Sequence, residues 1–310
     1  MMKYGEKIID KIIEDNGPCK IAFLPYKFSM WDSLETVYDA AVERGLTTYL
    51  MPIPYMTRGD GLWHDETHFF GKNVDNRALL KEFAPDVVFI HYPYDDNNRV
   101  TCIDPLYSSE SLKSAGYKIA YLAYCGSVWA EHIILQKGVK NADYIFVASE
   151  EEKGRYIELW RQKEVDISKN VFCLGGLPKY EAFFKQRFNS LEFKMSEGYI
   201  VLICGTLQTF LNEREKRIEK WLNAVKRFAQ QKNTFVIFRP HPLMEDTIKA
   251  MLPQYQLRYE KFLKDIDELC YVDKSQRFQA SIISADYLVS DPSSVTEVWK
   301  YTGKAYEIIE

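Results

Sequence analysis

The chain alternates short apolar runs with longer segments whose apolar residues recur at helical spacing. Residues 1–17 have the spacing of an amphipathic helix. Apolar runs in the first half, each predicted to be a buried strand, are residues 21–24, 47–53, 86–90, 117–124 and 144–147. Helical spacing follows most of them, at residues 31–43, 76–83, 128–137 and 150–161. This alternation predicts an α/β fold with a parallel, doubly wound sheet.

The second half repeats the pattern around a break at Gly175, Gly176 and Pro178. Its predicted strands are residues 171–174, 199–204, 235–238, 287–289 and 305–309, and its predicted helices are residues 213–230, 280–283 and 295–301. Because glycine and proline cluster at the break, we place a domain boundary there. The chain then divides into Rossmann-like domains at residues 1–176 and 177–310.

Two Rossmann-like domains whose parallel sheets face each other across a cleft have the GT-B architecture. The chain ends just after its last predicted strand, where such folds normally continue with more helix. We therefore expect either a compact version of the fold or a C-terminally truncated fragment of a longer polypeptide.

Composition excludes some classes of protein. The 310 residues suit two domains of ordinary size, and the net charge of −4 does not favour nucleic-acid binding. The six cysteines form no Cys-x-x-Cys pair, which indicates reduced thiols. The N-terminal segment is not a signal peptide, and no apolar run approaches the roughly 20 residues that span a bilayer. These features predict a cytoplasmic protein.

Polar residues follow several predicted strands of the second half, where the carboxyl ends of parallel strands form a ligand crevice. Ser293 and Ser294 open a predicted helix, whose N-terminal N–H groups suit a phosphate but also need capping. The Arg239 guanidinium suits phosphate oxygens, and a protonated His241 could hold a pyrophosphate or supply a proton to a leaving nucleotide. The other candidates for donor binding at these strand ends are Gly205, Thr206, Ser290, Asp291 and Glu297.

Three separated motifs in the second half resemble the CDP-glycerol glycerophosphotransferase family, the teichoic-acid polymerases and primases. They are the segments ADYLVSDPSSVTEVWKYTGKAYEI at residues 285–308, FRPHPLME at 238–245, and VASEEEKGRYIEL with CLGGLPKYEAF between residues 147 and 183. The resemblance covers roughly residues 140 to 309. It implies a GT-B fold with an N-terminal acceptor domain, a C-terminal nucleotide-donor domain, a CDP-linked alditol as substrate, and no separate cofactor.

The first half departs from that family. Where the polymerases carry a Trp-His-Gly motif that supplies the catalytic base, this chain has Ala123-Tyr124-Cys125-Gly126-Ser127, which keeps Gly126 but has Cys125 at the position of the histidine. Cys125, Gly126 and Ser127 are candidates for the acceptor side. Trp31 and Tyr92, which lie near predicted strand ends, are the others; Trp31 could instead pack at the helix–sheet interface.

The catalytic candidates are His241 and His132. His132 lies on the predicted helix that follows the strand at 117–124. If this helix faces the cleft, His132 could act as a general base. His64 and His68 are four residues apart, but no third ligand accompanies them, so we expect no metal site.

The leading functional hypothesis is transfer of glycerophosphate or a related phosphoalditol from a CDP-linked donor to a cell-envelope glycan or lipid-linked acceptor. One alternative is a UDP-sugar glycosyltransferase or nucleotide-sugar epimerase on the same fold. A second alternative is a nucleotide-binding module without catalysis. The expected partners are a nucleotide-linked small molecule and a glycan or lipid-linked acceptor, with no nucleic acid. Contact with the inner face of the cytoplasmic membrane stays open.

Overall fold

A computed structural model describes residues 3–70, 76–126, 130–164, 170–185 and 198–309. The chain forms two compact units. Unit 1 comprises Met1–Thr57 and Gly61–Gln186, and unit 2 comprises Arg58–Asp60 and Arg187–Glu310. The predicted fold class, α/β with a parallel sheet in each half, is confirmed.

The elements of unit 1 follow the predicted alternation. Its helices are α1 (Tyr4–Asn16), α2 (Glu35–Glu43), α3 (Asn76–Phe83), α4 (Ser109–Ser114), α5 (Glu131–Ile134), α6 (Lys137–Lys140), α7 (Glu150–Gln162) and α8 (Pro178–Lys185). Its strands are β1 (Lys20–Leu24), β2 (Thr47–Leu50), β3 (Tyr55–Thr57), β4 (Trp63–His64), β5 (Val87–Ile90), β6 (Thr101–Ile103), β7 (Lys118–Leu122), β8 (Tyr144–Val147) and β9 (Val171–Cys173). Short 3₁₀ helices occupy Phe28–Ser33, Thr67–Phe70 and Pro105–Tyr107.

The main sheet of unit 1 is parallel, with the strand order β2-β1-β5-β7-β8-β9. The order reverses between β1 and β5, so the carboxyl ends of these two strands form the switch point where doubly wound sheets bind ligands. Phe23 of β1 and Phe89 of β5 stack with ring centroids 4.9 Å apart. This core contact holds the two strands in register beneath the switch point.

Unit 1 also contains structure that the sequence pattern did not predict. A small antiparallel sheet has the order β4-β3-β6, and its strands of two or three residues are too short to carry an alternating pattern. The helix predicted at residues 128–137 is instead two separate short helices, α5 and α6. Residues 127–129 lie outside the described residues.

The elements of unit 2 begin at residue 199. Its helices are α9 (Leu207–Glu213), α10 (Glu215–Ala229), α11 (Met244–Met251), α12 (Gln256–Asp267), α13 (Gln279–Ser284) and α14 (Ser294–Lys300). Its strands are β10 (Tyr199–Cys204), β11 (Thr234–Arg239), β12 (Tyr271–Val272), β13 (Tyr287–Ser290) and β14 (Tyr306–Ile308). The single helix predicted at 213–230 is broken at Arg214, which has a φ of 58°.

The sheet of unit 2 is parallel and has the order β12-β11-β10-β13-β14. In chain order this is 3-2-1-4-5, which matches the first five strands of a doubly wound Rossmann sheet, and it reverses between β10 and β13. Trp221 of α10 is fully buried and packs against Phe238 of β11 and Phe262 of α12. The core therefore lies on the α10–α12 face and holds the carboxyl edge of the sheet in place.

The predicted boundary at residues 176 and 177 precedes α8, whereas the structure assigns α8 to unit 1. The reason is a buried contact: the Glu181 carboxylate of α8 accepts a hydrogen bond of 2.9 Å from the Gly5 backbone N–H of α1. Gly5 itself packs so closely against Thr36 of α2 that an added Cβ would lie 2.3 Å from the Thr36 carbonyl oxygen. The glycine and proline cluster is thus a turn inside unit 1.

Candidate functional site

The switch point of unit 2 brings together two of the predicted strand ends. Cys204 of β10 and Ser290 of β13 are direct neighbours in the sheet. Asp291, which follows β13, is completely buried, and its Oδ2 accepts hydrogen bonds from the Thr206 N–H (2.8 Å) and the Thr209 hydroxyl (2.5 Å). An internal carboxylate therefore lies at the N-terminus of α9, where a phosphate was expected to bind Thr206.

Arg217 is the residue at this switch point that the sequence reasoning missed. Its guanidinium, 3% exposed, donates to Asp291 Oδ1 at 2.9 Å and to the Glu213 carboxylate at 2.7 Å. It also donates to the Ile309 carbonyl oxygen at 3.2 Å. Arg217 thus links α10 to the turn after β13 and to the end of the chain. No motif marks it, because it is one of several basic residues on an amphipathic helix.

Gly205 was predicted to let a diphosphate approach the backbone. In the structure, a Cβ added at Gly205 would lie 2.6 Å from the Trp221 ring. Close packing of a core tryptophan is therefore sufficient to require glycine here, and contact with a ligand stays a prediction.

The turn from β13 into α14 uses most of its hydroxyl groups internally. The Ser290 hydroxyl donates to the Asp291 carbonyl oxygen at 2.8 Å, and Ser290 is fully buried. Ser293 caps α14, since its Oγ accepts from the Thr296 N–H at 3.3 Å. Ser294 is half-buried. Because Ser293 is used as the cap of α14, the groups that remain predicted to contact a phosphate are the first backbone N–H groups of this helix.

Glu297 was considered either as a ligand for ribose or cytidine hydroxyls or as a complement to the helix dipole. Its side chain is exposed and forms an ion pair of 2.7 Å with Lys300, one turn further along α14. The structure gives this carboxylate a surface partner, and binding of a nucleoside stays a prediction.

Arg239 does not present its guanidinium to solvent. It is 5% exposed, and its Nη1 forms an ion pair of 2.5 Å with Asp273, which follows β12. Nη1 and Nη2 also donate to the hydroxyl and the carbonyl oxygen of Ser275, at 3.0 and 2.9 Å. In this structure Arg239 fixes the loop after β12, because a buried guanidinium requires a carboxylate partner, and its contact with a phosphate stays a prediction.

Asp273 is a second residue that the sequence reasoning missed. Burial disfavours its charged form, but the Arg239 guanidinium and hydrogen bonds from Ser275 and Ser281 outweigh burial and hold the pKa of Asp273 below its ordinary value. The pattern gave no signal here because Asp273 follows a strand of only two residues.

His241 lies in a pocket at the carboxyl edge of β11. The pocket has a volume of about 190 Å³ and is formed entirely by unit 2. The Nδ1 of His241 accepts a hydrogen bond of 3.1 Å from the Leu243 N–H, so the proton of the neutral imidazole is on Nε2. The histidine is therefore oriented by its own turn and carries a donor on the other ring nitrogen. The walls of the pocket come from residues 239–242, 244–246, 259 and 273–276.

Trp31 and Tyr92 lie in the core of unit 1. Trp31 is 6% exposed and packs edge-on against Tyr38 and Phe70, with ring centroids 5.8 and 5.5 Å away. Tyr92 is 3% exposed, and its hydroxyl donates to the Thr101 carbonyl oxygen at 2.9 Å. Both rings are thus buried by packing within unit 1, and contact of Trp31 or Tyr92 with an acceptor stays a prediction.

Cys125 and Gly126 lie in the turn after β7, and Ser127 lies outside the described residues. Burial raises the pKa of the Cys125 thiol, and the positive charge of Lys179 offsets this only in part. A neutral thiol is a poor nucleophile, which agrees with a small pocket residue rather than a reactive one. Gly126 has a φ of 89°, a conformation that favours glycine.

His132 lies on the short helix α5 and is exposed. No described side chain forms a hydrogen bond with its ring, although its carbonyl oxygen accepts from Gln136 at 2.5 Å. None of the described residues orients the imidazole through a hydrogen bond. A role as general base stays a prediction.

His91 is the histidine that the structure places at the switch point of unit 1. It is fully buried; its Nε2 accepts from the Tyr26 N–H and its Nδ1 contacts the Ser33 hydroxyl, both at 2.9 Å. Because the Ser33 hydroxyl donates to the Met30 carbonyl oxygen, Nδ1 carries the imidazole proton. Burial lowers the pKa of His91 to about 3. The neutral ring thus connects the segments that follow β1 and β5 through its hydrogen bonds.

None of the described helices is both long enough and apolar enough to cross a bilayer. Within the same residues, no three or more histidine, cysteine, aspartate or glutamate side chains are grouped as metal ligands. His64 instead lies 3.0 Å from the Thr57 hydroxyl.

Comparisons with known proteins identify the fold. The UDP-GlcNAc 2-epimerase of Methanocaldococcus jannaschii, in complex with UDP-GlcNAc and UDP, is 12% identical over 93% of this chain and 83% of its own, with a TM-score of 0.63. The S. aureus protein MnaA in complex with UDP is 11% identical over 94% of this chain and 79% of its own, with a TM-score of 0.58. The fold is therefore GT-B-like, with two Rossmann-like domains.

The comparisons do not show a family. No protein-family model and no curated protein matches the sequence. A variant of the wall teichoic acid polymerase TagF is 10% identical over 97% of this chain and 73% of its own, but its TM-score of 0.48 is too low to support an argument. The GT-B expectation is thus confirmed, whereas the resemblance to the CDP-glycerol family stays a prediction.

Proposed function

We propose that this protein is an enzyme that acts on a UDP-linked sugar, as a nucleotide-sugar epimerase. The observation that carries the proposal is the donor edge of unit 2: a sheet in the order 3-2-1-4-5 whose strand ends hold an oriented His241 and the capped N-terminus of α14. The M. jannaschii 2-epimerase, which was solved with UDP-GlcNAc and UDP, has the same fold over 93% of this chain.

In this proposal, His241 donates a hydrogen bond from Nε2 to a diphosphate oxygen. Ser294 and the first N–H groups of α14 bind the same diphosphate. Asp291 and Arg217 act as positioning residues, because their buried ion pair of 2.9 Å holds the turn from which α14 begins. Arg239 positions the pocket wall through Asp273 rather than binding phosphate itself.

Calorimetric titration of the purified chain with UDP and with CDP tests the proposed nucleotide. We expect tighter binding of UDP, and a loss of about tenfold or more in the His241→Ala variant, since a hydrogen bond to a charged group is removed. His68→Ala, which removes an exposed histidine of unit 1, is the matched control and should bind like the wild type. Absence of binding to any nucleoside diphosphate would overturn the proposal.

Turnover separates an epimerase from its alternatives. Epimerisation at carbon 2 must break and remake a bond to that carbon, so UDP-GlcNAc incubated with the enzyme in D₂O should gain deuterium if the C–H bond is the one broken. Release of UDP without a 2-epimer would instead indicate a UDP-sugar glycosyltransferase that lacks its acceptor. Binding without turnover would indicate a nucleotide-binding module.

Transfer of a phosphoalditol from a CDP-linked donor is the second candidate function. The segments FRPHPLME and SDPSS favour it, because they resemble the motifs of the CDP-glycerol family. Its acceptor would be a cell-envelope glycan or a lipid-linked glycan. Tighter binding of CDP than of UDP, together with CMP release from CDP-glycerol, would favour this candidate over the epimerase.

A further inference from the structure

Lys274 and Glu245 form an ion pair at the pocket that contains His241. Lys274 belongs to the loop after β12, Glu245 lies in the first turn of α11, and both residues line the pocket. The Nζ of Lys274 lies 3.2 Å from Oε1 of Glu245, so the lysine side chain connects the loop to the helix. A carboxylate of the protein therefore holds an ammonium group beside the oriented histidine.

This ion pair is exposed and can open easily. The side chain of Lys274 is 62% exposed and that of Glu245 is 53% exposed. Exposed ion pairs contribute little to stability, because water screens the charges and two flexible side chains must be fixed in one geometry. Lys274 can thus exchange Glu245 for another anion without a large loss of stability.

The backbone that carries Lys274 is fixed on both sides, although its side chain is exposed. Before Lys274, the Asp273 N–H donates to the Phe238 carbonyl oxygen of β11 at 2.9 Å. After Lys274, the Ser275 carbonyl oxygen accepts from the Arg239 guanidinium at 2.9 Å, and the Ser275 N–H donates to Asp273 Oδ1 at 2.9 Å. Arg239 thus positions Lys274 at the edge of the pocket.

A diphosphate is a stronger partner for this ammonium group than a single carboxylate. It has more negative charge and more acceptor oxygens, and lysine binds phosphates as a point charge. Among the acidic residues of the pocket, Asp273 is paired with Arg239, and Asp246 has an interaction partner as well. Glu245 is exposed, so its carboxylate can turn into solvent when the lysine leaves it.

We propose that Lys274 is a diphosphate-binding residue that exchanges the Glu245 carboxylate for a phosphate oxygen of the nucleotide substrate. The proposal rests on the proposed function, since it assumes that unit 2 binds a nucleoside diphosphate, and it applies to UDP and CDP alike. It adds a cation beside His241, and it makes Glu245 an internal competitor of the substrate. The pocket volume of about 190 Å³ is below the roughly 300 Å³ of whole-ligand pockets, which suits one part of a nucleotide.

Calorimetric titration of two single variants with UDP tests this proposal. Lys274→Met should bind UDP about tenfold more weakly than the wild type, since a hydrogen bond between charged groups is lost. Glu245→Gln should bind UDP about two- to fivefold more tightly, because the competing carboxylate is removed. Added NaCl should weaken UDP binding less in Lys274→Met than in the wild type, since one charge contact is absent.

The double variant separates exchange from simple repulsion. If Glu245 acts by holding Lys274, then Glu245→Gln should have no effect on UDP affinity once Lys274 is methionine. If Glu245 instead repels the diphosphate directly, Glu245→Gln should tighten binding by the same factor with and without Lys274. The second result would overturn the exchange.

Two further variants are the controls. Lys261→Met removes an exposed lysine of α12 that does not line the pocket, and it should bind UDP like the wild type. Lys274→Arg keeps the positive charge and should retain most of the affinity. Because the substituted lysines are exposed, the melting temperatures without ligand should match that of the wild type.

Other results would also overturn the proposal. If the wild type binds UDP and Lys274→Met binds it equally well, the lysine contact is absent while the proposed function stands. An equal loss in Lys261→Met would show that only the overall charge of the protein matters. Unchanged or weaker binding by Glu245→Gln would show that the ion pair does not compete with the nucleotide. If the wild type binds neither UDP nor CDP, the proposed function and the lysine contact fail together.

Discussion

Asp291 and Asp273 each follow a strand of unit 2, and each buried carboxylate is paired with an arginine from another element. Asp291 pairs with Arg217 and Asp273 pairs with Arg239. The sequence placed Arg239 at a strand end, where a guanidinium suits either a phosphate or a carboxylate. Only the position of Asp273, 34 residues further along the chain, decides between them. At the scale of single residues, the partner determines the role.

The stability of unit 1 should depend on pH through His91. Its folded pKa of about 3 lies below the ordinary value of 6.5, because burial and the Lys179 charge disfavour the imidazolium. Above pH 6.5 neither state binds the proton. Between about pH 6.5 and 3 only the unfolded chain binds the proton. As the pH decreases through this range, the free energy of unfolding should therefore fall by about 1.4 kcal/mol for each pH unit.

Urea unfolding from about pH 8 to about pH 5 measures this dependence. His91→Gln is the matched control, since an amide can accept from Tyr26 and donate to Ser33 but does not titrate in this range. The variant should lose this part of the pH dependence. Equal slopes for both proteins would show that His91 is not the titrating group.

At the scale of elements, the connection between β10 and α9 contains Gly205, for which both core packing and ligand binding could require a glycine. Gly205 separates the strand from the helix at the switch point, directly against the Trp221 ring of α10. Trp221 is itself fixed between Phe238 and Phe262. The ring cannot move away without disturbing the core, so the connection tolerates no side chain.

Gly205→Ala should therefore destabilise unit 2 by about 1–3 kcal/mol, the usual cost of overpacking. The added methyl group would lie 2.6 Å from the Trp221 ring, which must shift. Chemical denaturation followed by tryptophan fluorescence measures the change. Gly154→Ala in α7 is a control with the opposite expected sign. A Cβ added there would have no atom of another element within 4 Å, so the variant should stabilise unit 1 by about 0.5–1 kcal/mol. A neutral Gly205→Ala would contradict the packing explanation.

At the scale of the whole molecule, each unit has a hydrophobic core of its own. The core of unit 1 includes Phe23, Trp31 and Phe89, and the core of unit 2 includes Trp221 and Phe238. No residue belongs to both clusters. Each unit therefore meets the main requirement for unfolding as a cooperative entity.

We expect thermal unfolding to show two transitions, of which only the transition of unit 2 rises in temperature with added UDP. Binding stabilises the unit that contains the site, by mass action. Trp31 reports on unit 1 and Trp221 on unit 2, so single Trp→Phe variants assign the transitions in fluorescence-detected melting. One cooperative transition that shifts as a whole would contradict independent unfolding.

The sequence by itself determined the fold class and most of the long elements. Strands such as β10 and β5 are nearly continuous apolar runs because both faces of a parallel sheet are covered, and helices such as α3 and α7 show clear periodicity. The small sheet of β3, β4 and β6 was missed because two or three residues carry no period. Two strand ends that meet at the switch point of unit 2 were predicted from sequence, because strand ends followed by Gly-Thr or Ser-Asp-Pro-Ser-Ser are local signals.

Only the tertiary structure decided what the polar residues at those strand ends contact. Arg217 and Asp273 were not singled out, because each acts through a partner that is distant in sequence. Trp31 and Tyr92 were placed at an acceptor site, whereas both are buried. Local pattern records which side chains are available near a strand end. Burial and pairing are set by elements that meet only when the chain has folded, and these decide whether a polar group is satisfied internally or left for a ligand.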